Sequence, residues 1–273
     1  MQEILTSATR QGNAITYYGQ EGFDGMRKAG RLAAECLDQL YEMVKPGVST
    51  QAIDDFIFEF GLDHGAYPAT LNYRGYRKSS CTSLNHVVCH GIPSEKPLRE
   101  GDIVNIDVTY VLDGWHGDSS RMYGAGQLKR AAERLIEVTY ECLMRGVAAI
   151  RPGGRMGDIG HAIQRYAEAE RCSVVRDFCG HGVGRLFHEP PNVLHYGQAG
   201  EGPEIKPGMI FTVEPMINLG RPHVKLLSDG WTAVTRDRSL SAQFEHTVGI
   251  TETGVEILTL SPSGRSWLPW KDA

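Results

Sequence analysis

The stretch Gly101–Tyr123, GDIVNIDVTYVLDGWHGDSSRMY, decides the fold of this chain. A run of strand-forming residues continues to Asp113-Gly114, and a second, shorter run follows that pair. An Asp-Gly pair between two such runs predicts a β-hairpin with a two-residue turn, because both turn positions need a positive φ. The same turn fixes the register of the hairpin and places Leu112 opposite Trp115.

One face of this predicted hairpin is polar. The register pairs Asp107 with Ser120 and Thr109 with Asp118, and side chains alternate across a strand, so all four share a face. Asp107 and Asp118 are then diagonal neighbours, with Cβ atoms about 6 to 8 Å apart. Carboxylates that close favour a cation between them, which predicts a metal site, although the hairpin alone also fits the solvated side of a half-exposed sheet. The apolar side chains of the other face are predicted to point into the core: Val104, Ile106, Val108, Tyr110 and Leu112.

Composition excludes several classes of protein. The chain has 273 residues and a formal net charge of −5, which argues against a general surface for nucleic acids or anionic membranes. No apolar run approaches the roughly 20 residues of a membrane span. The six cysteines form no CxxC pair, which is typical of reduced thiols and predicts a cytoplasmic protein. Near the C-terminus, Trp267 and Trp270 are predicted to pack against the surface.

A sequence pattern occurs twice in the chain. Helical spacing of apolar residues predicts one helix over Met26–Val44 and a second that is capped by Ser49 or Thr50. The pattern recurs at an offset of about 106 residues and predicts a duplicated α+β unit with pseudo-twofold symmetry. It places Glu214 at the position of Asp107, so that both carboxylates would face one central cleft. The matching segments are Glu35-Cys36-Leu37 with Glu141-Cys142-Leu143, Lys45-Pro46-Gly47 with Arg151-Pro152-Gly153, and Gly101, Ile103 and Asp107 with Gly208, Ile210 and Glu214.

Two histidines lie among glycines. His90 is followed by Gly91, and His181 lies between Gly180 and Gly182. Glycine allows a close approach of the backbone, which suits a ligand in a tight site, although each histidine alone also fits a buried structural role. The GxGxG spacing does not match a nucleotide-binding loop.

Five separated motifs occur in an order that resembles the type I methionine aminopeptidases, in their short, bacterial form. The motifs are VVCHGIP, GDIVNIDVTYVLDGWHGDSS, CGHGVGRLFHEPPNVLHYG, GMIFTVEPMI and DGWTAVTRDRSLSAQFEHTVGIT. The resemblance implies the α+β pita-bread fold of the creatinases and aminopeptidases, in which helices flank an antiparallel sheet and the two halves are related by an internal pseudo-twofold duplication. It predicts a loose N-terminal arm at residues 1–20 and a single catalytic domain at residues 21–273.

The resemblance also implies a site with two metal ions. The implied ligands are Asp107, Asp118, His181, Glu214 and Glu245. Four carboxylates and one imidazole suit two divalent ions of Co, Mn, Fe(II) or Zn. In such a site a metal-activated hydroxide attacks the first peptide bond, and Glu214 serves as general base and then acid. His90 and His188 are expected to hydrogen-bond the scissile amide and its developing oxyanion.

A pocket for the methionine side chain is implied at positions that carry aromatic rings and a thiol, which suit a flexible thioether. These positions are Tyr73, Tyr76, Cys81, Phe187 and Trp231. Thr70 stands where bacterial relatives often have cysteine, so the rim of the pocket is expected to differ, and His86 is predicted to lie on the surface. The expected function is removal of the N-terminal methionine from nascent polypeptides with a small second residue, by a monomer that acts at the ribosome and contacts no membrane or nucleic acid directly.

Two alternatives remain at this level. A prolidase or proline-specific aminopeptidase shares the fold and the ligands, but such chains carry a large N-terminal domain for which this sequence has no room. A non-catalytic, ribosome-associated protein of the same fold is expected to have lost metal ligands, whereas all five positions are filled here.

Overall fold

The computed structural model describes residues 14–264. The predictions for most of the N-terminal arm and for Trp267 and Trp270 therefore lie outside the described residues. None of the helices within the described range is long and apolar enough to cross a membrane.

Two helices followed by a run of strands occur twice along the chain. The helices are α1 Gln20–Gln39, α2 Thr50–Asp63, α3 Arg130–Ala148 and α4 Met156–Ala169, with 3₁₀ turns at Leu40–Glu42 and Tyr73–Gly75. The strands of the first half are β1 Tyr67–Pro68, β2 Cys81–Leu84, β3 Val87–Cys89, β4 Asp102–Leu112 and β5 Trp115–Ala125. The strands that follow α4 are β6 Ser173–Val174, β7 Gly180–Gly182, β8 Glu189–Val193, β9 Ile210–Val213, β10 Met216–Asn218, β11 Val224–Leu226, β12 Ala233–Thr235, β13 Ser241–Gln243, β14 His246–Ile250 and β15 Val255–Ile257.

The predicted hairpin is present with the predicted register. Strands β4 and β5 pair antiparallel, with Leu112 opposite Trp115 and Thr109 opposite Asp118. The turn residue Asp113 has a φ of 51°, as the two-residue turn requires. The apolar face is buried: Val104, Ile106, Val108 and Tyr110 lie in the core, and Leu112 packs against it half-buried.

The two helices of the first half differ from the prediction mainly in their ends. The first begins at Gln20 rather than Met26 and ends at Gln39, where a 3₁₀ turn replaces the last predicted turn. The second is capped by Ser49, whose side-chain oxygen accepts a hydrogen bond from the N–H of Ala52 at 3.1 Å. Helix boundaries depend on such local hydrogen bonds and are therefore less predictable than the helices themselves.

The segment before α1 is attached to the domain at Tyr18. Its hydroxyl donates a hydrogen bond to Glu189 at 2.6 Å, and its ring meets the edge of Trp115 at a centroid distance of 5.5 Å. Aromatic packing and a hydrogen bond therefore hold Tyr18, within the predicted arm, against the domain, and the bounds of the arm stay a prediction.

The duplication is confirmed by matched structural features. Helices α2 and α4 have 14 residues each, and the turns before them contain Gly47 and Gly153 with φ of 93° and 80°. A second pair, Gly101 and Gly208, precedes β4 and β9 with φ of 83° and 91°. Each half also has a core of its own, one around α1, α2 and the hairpin and one around α3, α4 and the later strands.

The strands are antiparallel, as expected, but they form several small sheets. One contains β1, β2, β4 and β5, another contains β7, β8, β9, β14 and β15, and two more have three strands each. An isolated antiparallel bridge joins Ser120 of β5 to Glu245, between β13 and β14. This bridge connects the two halves at the polar face of the hairpin.

Helix α1 lies directly on strand β5, and Gly117 makes this contact possible. A Cβ atom at Gly117 would lie 2.0 Å from the carbonyl oxygen of Ala29. Only the absence of a side chain allows the two backbones to approach so closely. The close packing fixes the hairpin, and with it the position of the adjacent Asp118.

Candidate metal centre

A cavity of about 360 Å³ is lined by residues from both halves of the chain. It contains every residue that the sequence assigns to the site: Asp107, Asp118, His181, Glu214, Glu245, His90, His188, Tyr73, Tyr76, Cys81, Phe187 and Trp231. Thr70 lines it as well, and its hydroxyl donates to the carbonyl of Lys78. His86 is half-buried and is not among the lining residues.

The hairpin and the bridge position three of the four carboxylates. Asp107 and Asp118 project from the polar face of β4 and β5, as the register requires. Glu245 is fixed through its backbone, because its N–H donates to the carbonyl of Ser120 at 3.0 Å and its carbonyl accepts from the hydroxyl of Ser119 at 2.8 Å.

The imidazole of His181 points one nitrogen at the carboxylates. Its Nδ1 lies 3.1 Å from the carbonyl oxygen of Gly182, which can only accept, so Nδ1 carries the proton. Its Nε2 lies 3.6 Å from an oxygen of Asp118 and 3.7 Å from an oxygen of Glu214. Potential ligand atoms of Asp118, His181 and Glu245 all lie within 4.8 Å of one another. The lone pair of Nε2 therefore faces the same space as the carboxylate oxygens.

The electrostatics of the cavity disfavour its charged groups. Burial, and then mutual repulsion with the neighbouring acids, raise the pKa values of Asp107, Glu214 and Glu245 well above the ordinary range. Burial raises the pKa of Asp118 to about 6, although the hydroxyl of Thr109 donates to it and lowers this value. Burial also lowers the pKa of His181 to about 4, so the ring is neutral at pH 7.

This donor set fits divalent metal ions. Buried acids that repel one another are stabilised as carboxylates by cations placed between them. A neutral imidazole whose other N–H is hydrogen-bonded to a carbonyl is the usual form of a histidine ligand. The residues at the cavity floor can therefore hold metal in the way that their sequence pattern predicts.

Glu214 is supported by side chains that the sequence alone did not identify. The hydroxyl of Thr212 donates to one carboxylate oxygen at 2.7 Å, and the amide of Gln243 donates to the other at 3.2 Å. The fully buried His195 accepts a hydrogen bond from the backbone N–H of Glu214 at 3.0 Å. Thr212 and Gln243 could have been found from their strand faces, and His195 from its place within the third motif.

Two groups of rings form two walls of the cavity. In the first, the ring centroid of His188 lies 4.1 Å from that of His181 and 5.2 Å from that of Tyr73. In the second, Trp231 contacts Tyr76 at 5.0 Å, edge to face, and His90 at 6.3 Å.

Further contacts complete these walls. Phe187 packs against Tyr73 at 5.0 Å and thereby joins the first wall, whereas Phe178 meets the ring of His90 at 5.4 Å and joins the second. Several other lining residues were not predicted: Arg74, Cys89, Asp177, Phe178, Cys179, Met216 and Gln243. Arg74 and Cys89 adjoin a predicted residue in sequence, and Cys179, Met216 and Gln243 lie two positions from one, which is the signal that could have identified them.

Comparisons with known proteins agree with this geometry. The sequence profile of a family described as Metallopeptidase family M24 matches residues 24–252. A methionine aminopeptidase of Rickettsia prowazekii is 55% identical over 257 residues, which are 94% of this chain and 99% of the relative. A crystal structure of methionine aminopeptidase from the same organism superposes with a TM-score of 0.90 and 56% identity, over 90% of this chain and 100% of that one.

A prolidase from Pyrococcus furiosus has the same fold at low identity. It superposes with a TM-score of 0.72 at 20% identity, and the match covers 93% of this chain but only 67% of the prolidase. Both neighbours confirm the predicted pita-bread architecture, and the second shows likeness in fold alone.

Proposed function

The chain belongs to metallopeptidase family M24, and within it to the methionine aminopeptidases; from this premise we propose that it removes the N-terminal methionine from nascent polypeptides whose second residue is small. One observation carries the proposal: a single cavity contains both the candidate metal ligands and an aromatic pocket next to them. The ligands account for hydrolysis, and the pocket accounts for the choice of side chain.

We propose that two divalent ions of Co, Mn, Fe(II) or Zn bind in this cavity. Asp107 and Glu245 would bridge them, Asp118 would bind one, and His181 with Glu214 would bind the other. When bound, the ions would supply Lewis-acid activation of a water molecule and of the scissile carbonyl. The support is the convergence of carboxylates from both halves on one imidazole Nε2.

Glu214 is the proposed group that accepts and returns a proton. Burial, with repulsion from the neighbouring acids, raises its pKa, while the hydrogen bonds from Thr212 and Gln243 oppose this shift. A carboxylate with a raised pKa holds a proton more readily near neutral pH, which is the property that a general base and acid requires. The two hydrogen bonds also fix the direction in which its oxygens point.

His188 and His90 are the proposed donors to the scissile peptide bond. Burial, and then the nearby His181, lower the pKa of His188 to about 3, and burial lowers the pKa of His90. Both rings are therefore neutral at pH 7, and each retains one N–H to donate. A donor that faces the carbonyl oxygen stabilises the charge that develops there.

The methionine side chain would occupy the space between the two walls, beside Tyr73, Tyr76, Cys81, Phe187 and Trp231. The hydroxyl of Tyr76 donates to the carbonyl oxygens of Ser80 and Gly91, at 2.9 and 3.2 Å, and leaves its ring to face the pocket. The bulk of the rings in both walls would restrict the second residue of the substrate to a small side chain. The expectations of a cytoplasmic monomer that acts on nascent chains at the ribosome remain part of this proposal.

A peptide comparison tests the activity. Protein freed of metal should be inactive, and addition of Co, Mn, Fe(II) or Zn should restore cleavage of Met-Ala-Ser. Formyl-Met-Ala-Ser should resist cleavage, because its acylated nitrogen is no longer a free amine that a metal ion can bind. Rapid hydrolysis of the formylated peptide would overturn the proposal, because it would show that no free amine is needed. A preference for Ala-Pro would overturn it in favour of the prolidase alternative. Stable binding of metal without hydrolysis of any peptide would favour the non-catalytic alternative.

A further inference from the structure

The mouth of the cavity has one positive charge of unusual placement. Arg74 is the only lysine or arginine among the described residues that line the cavity, whose other charged lining residues are acidic. Its side chain is exposed, and its φ of 47° is in the left-handed region, which non-glycine residues seldom adopt. The metal ligands do not need this residue, and neither does the methionine pocket.

Among the residues that the structure describes, the guanidinium of Arg74 has no carboxylate partner. It lies over the ring of Tyr73, with the carbon Cζ 5.3 Å from the ring centroid. No ion pair between residues 14 and 264 includes it. Stacking on a ring holds the position of a guanidinium and leaves its N–H groups free to bind a ligand at the edge. In contrast, Arg185 outside the cavity is paired with Glu21.

Distances along the first wall indicate which part of a substrate Arg74 meets. The ring of His188, proposed to contact the scissile carbonyl, lies 5.2 Å from the ring of Tyr73, and the guanidinium carbon of Arg74 lies 5.3 Å from that same ring, so these two contacts set an upper limit on the distance from His188 to Arg74. An extended peptide advances about 3.3 Å per residue, so the guanidinium lies within reach of the third or fourth residue of the substrate. The second residue lies nearer to His188, where only a small side chain is expected to fit.

We propose that Arg74 selects substrates with an acidic side chain at the third or fourth position. The inference rests on the proposed aminopeptidase function and adds a preference beyond the second residue. The other exposed charged residue of the lining, Asp177, belongs to the second wall, where the adjacent Phe178 contacts His90. A substrate carboxylate is repelled by Asp177 and attracted by Arg74, so the two charges favour the same direction for the chain.

The test uses four peptides with amidated C-termini, which removes the terminal carboxylate as a competing anion. They are Met-Ala-Asp-Ser, Met-Ala-Ser-Asp, Met-Ala-Lys-Ser and Met-Ala-Ser-Lys. The variants are Arg74→Asn and Arg74→Asp, because asparagine and aspartate tolerate a positive φ and keep the loop intact. The control is Arg77→Asn, which removes the same charge three residues away from an exposed side chain that does not line the cavity.

The wild-type enzyme should cleave at least one Asp peptide with a kcat/KM about two- to fivefold above that of its Lys counterpart, as expected for an exposed ion pair. Arg74→Asn should bring this Asp-to-Lys ratio of kcat/KM close to one, and Arg74→Asp should reverse the preference in favour of the Lys peptide. Arg77→Asn should leave the ratio unchanged. The ratio should also decrease at high salt, because ions screen exposed charges. Equal ratios in the wild type and both Arg74 variants would overturn the inference while leaving the proposed function intact. If no peptide is cleaved by the wild type, the proposed function itself is wrong.

Discussion

Each half of the chain brings a carboxylate to the same cavity from the equivalent strand, Asp107 from the first half and Glu214 from the second, but the two are held differently. Asp107 lies within β4, which has 11 residues and pairs along its whole length with β5. Glu214 follows β9, which has only four residues, and its carboxylate and backbone N–H are held by the side chains of neighbouring residues.

The difference shows two ways to position a metal ligand. A long antiparallel ladder fixes a side chain by register alone, because every neighbouring backbone group is already hydrogen-bonded. A short strand that ends at the ligand leaves the chain free to turn, so specific side chains must fix its direction. The short strands of the second half supply two kinds of ligand, because β7 also carries the imidazole of His181.

The largest expected effect is a loss of metal and activity, and it should be the same for a ligand of either half. Asp107→Ala and Glu245→Ala should each lose bound metal and all detectable activity, because each is proposed to bridge both ions and its loss leaves the other carboxylates repelling. Metal content and turnover are measured on the same preparation. Asp113→Asn is the matched control, since it removes a charge at the turn of the same hairpin and tolerates the φ of 51° there. Full metal occupancy with normal turnover in either alanine variant would refute the bridging assignment.

The next effect concerns the contact between the halves, where His188 stacks on Tyr73. His188→Ala should lower kcat by about 10²-fold with little change in KM, because a donor to the oxyanion acts mainly in the transition state. Metal content and the thermal midpoint should stay unchanged. His116→Gln is the control, because His116 stacks on Phe187 but does not line the cavity. Loss of metal from His188→Ala would show that His188 is a ligand.

A matched pair of threonines tests the comparison directly. Thr109 donates to Asp118 from within the ladder, and Thr212 donates to Glu214 at the end of the short strand, each at 2.7 Å. Thr212→Val should lower activity or metal affinity by about 10- to 100-fold, as is usual for groups that orient a ligand. Thr109→Val should have a smaller effect, because the ladder continues to hold Asp118. Metal titration of both variants gives the two affinities, and equal losses would show that register alone does not fix the first site.

The smallest effect on the reaction is expected from an ion pair that only the first half has. Arg121 of β5 bonds the carboxylate of Asp38 in α1, and both side chains are almost fully buried. The sequence repeat places Met144 at the corresponding position of α3. Asp38→Asn should lower the free energy of unfolding by about 3 kcal/mol at pH 7, since it leaves a buried charge without its partner. Hydrogen exchange should accelerate in α1 and the hairpin rather than in α3 and α4.

The pH dependence of that loss has a definite sign. Burial tends to raise the pKa of Asp38, but the hydrogen bond and charge of Arg121, followed by the hydroxyls of Ser263 and Ser261, lower it below its ordinary value. The ion pair therefore stabilises the fold above the unfolded-state pKa of about 3.9, and this contribution is lost as the pH falls through the folded-state pKa. Denaturant unfolding of wild type and Asp38→Asn should give a gap that narrows below about pH 4. A constant gap would show that the substitution acts through packing.

The first half could be predicted from the sequence more completely than the second, because its ligands are positioned by local register and those of the second half by contacts between distant segments. The Asp113-Gly114 turn determines the register of the whole hairpin, so the shared face of Asp107 and Asp118 follows from local rules. The bridge between Ser120 and Glu245 joins segments far apart in the chain, and no local pattern encodes it. Its ligand was reached only through the resemblance of motifs.

Supporting residues were the hardest to predict. His195 binds a backbone N–H, and this role depends on the distance between two loops rather than on any periodicity. Arg74 was missed because nothing in its neighbourhood distinguishes an exposed arginine at the rim from one elsewhere on the surface. The ends of α1 also differ from the prediction: the helix begins at Gln20 without a side-chain cap and passes into a 3₁₀ turn after Gln39, so apolar spacing alone did not define its limits.

The bridge between Ser120 and Glu245 has a consequence for how the protein folds while it is being translated. Proteins are synthesised at about 5 to 20 residues per second, so the hairpin emerges several seconds before Glu245 has been translated. During that interval the first half can fold around its own core, yet its two carboxylates, Asp107 and Asp118, face neither the imidazole of His181 nor the two acids of the second half. The site can therefore become able to hydrolyse peptides only late in translation, when the second half packs against a hairpin that has already folded.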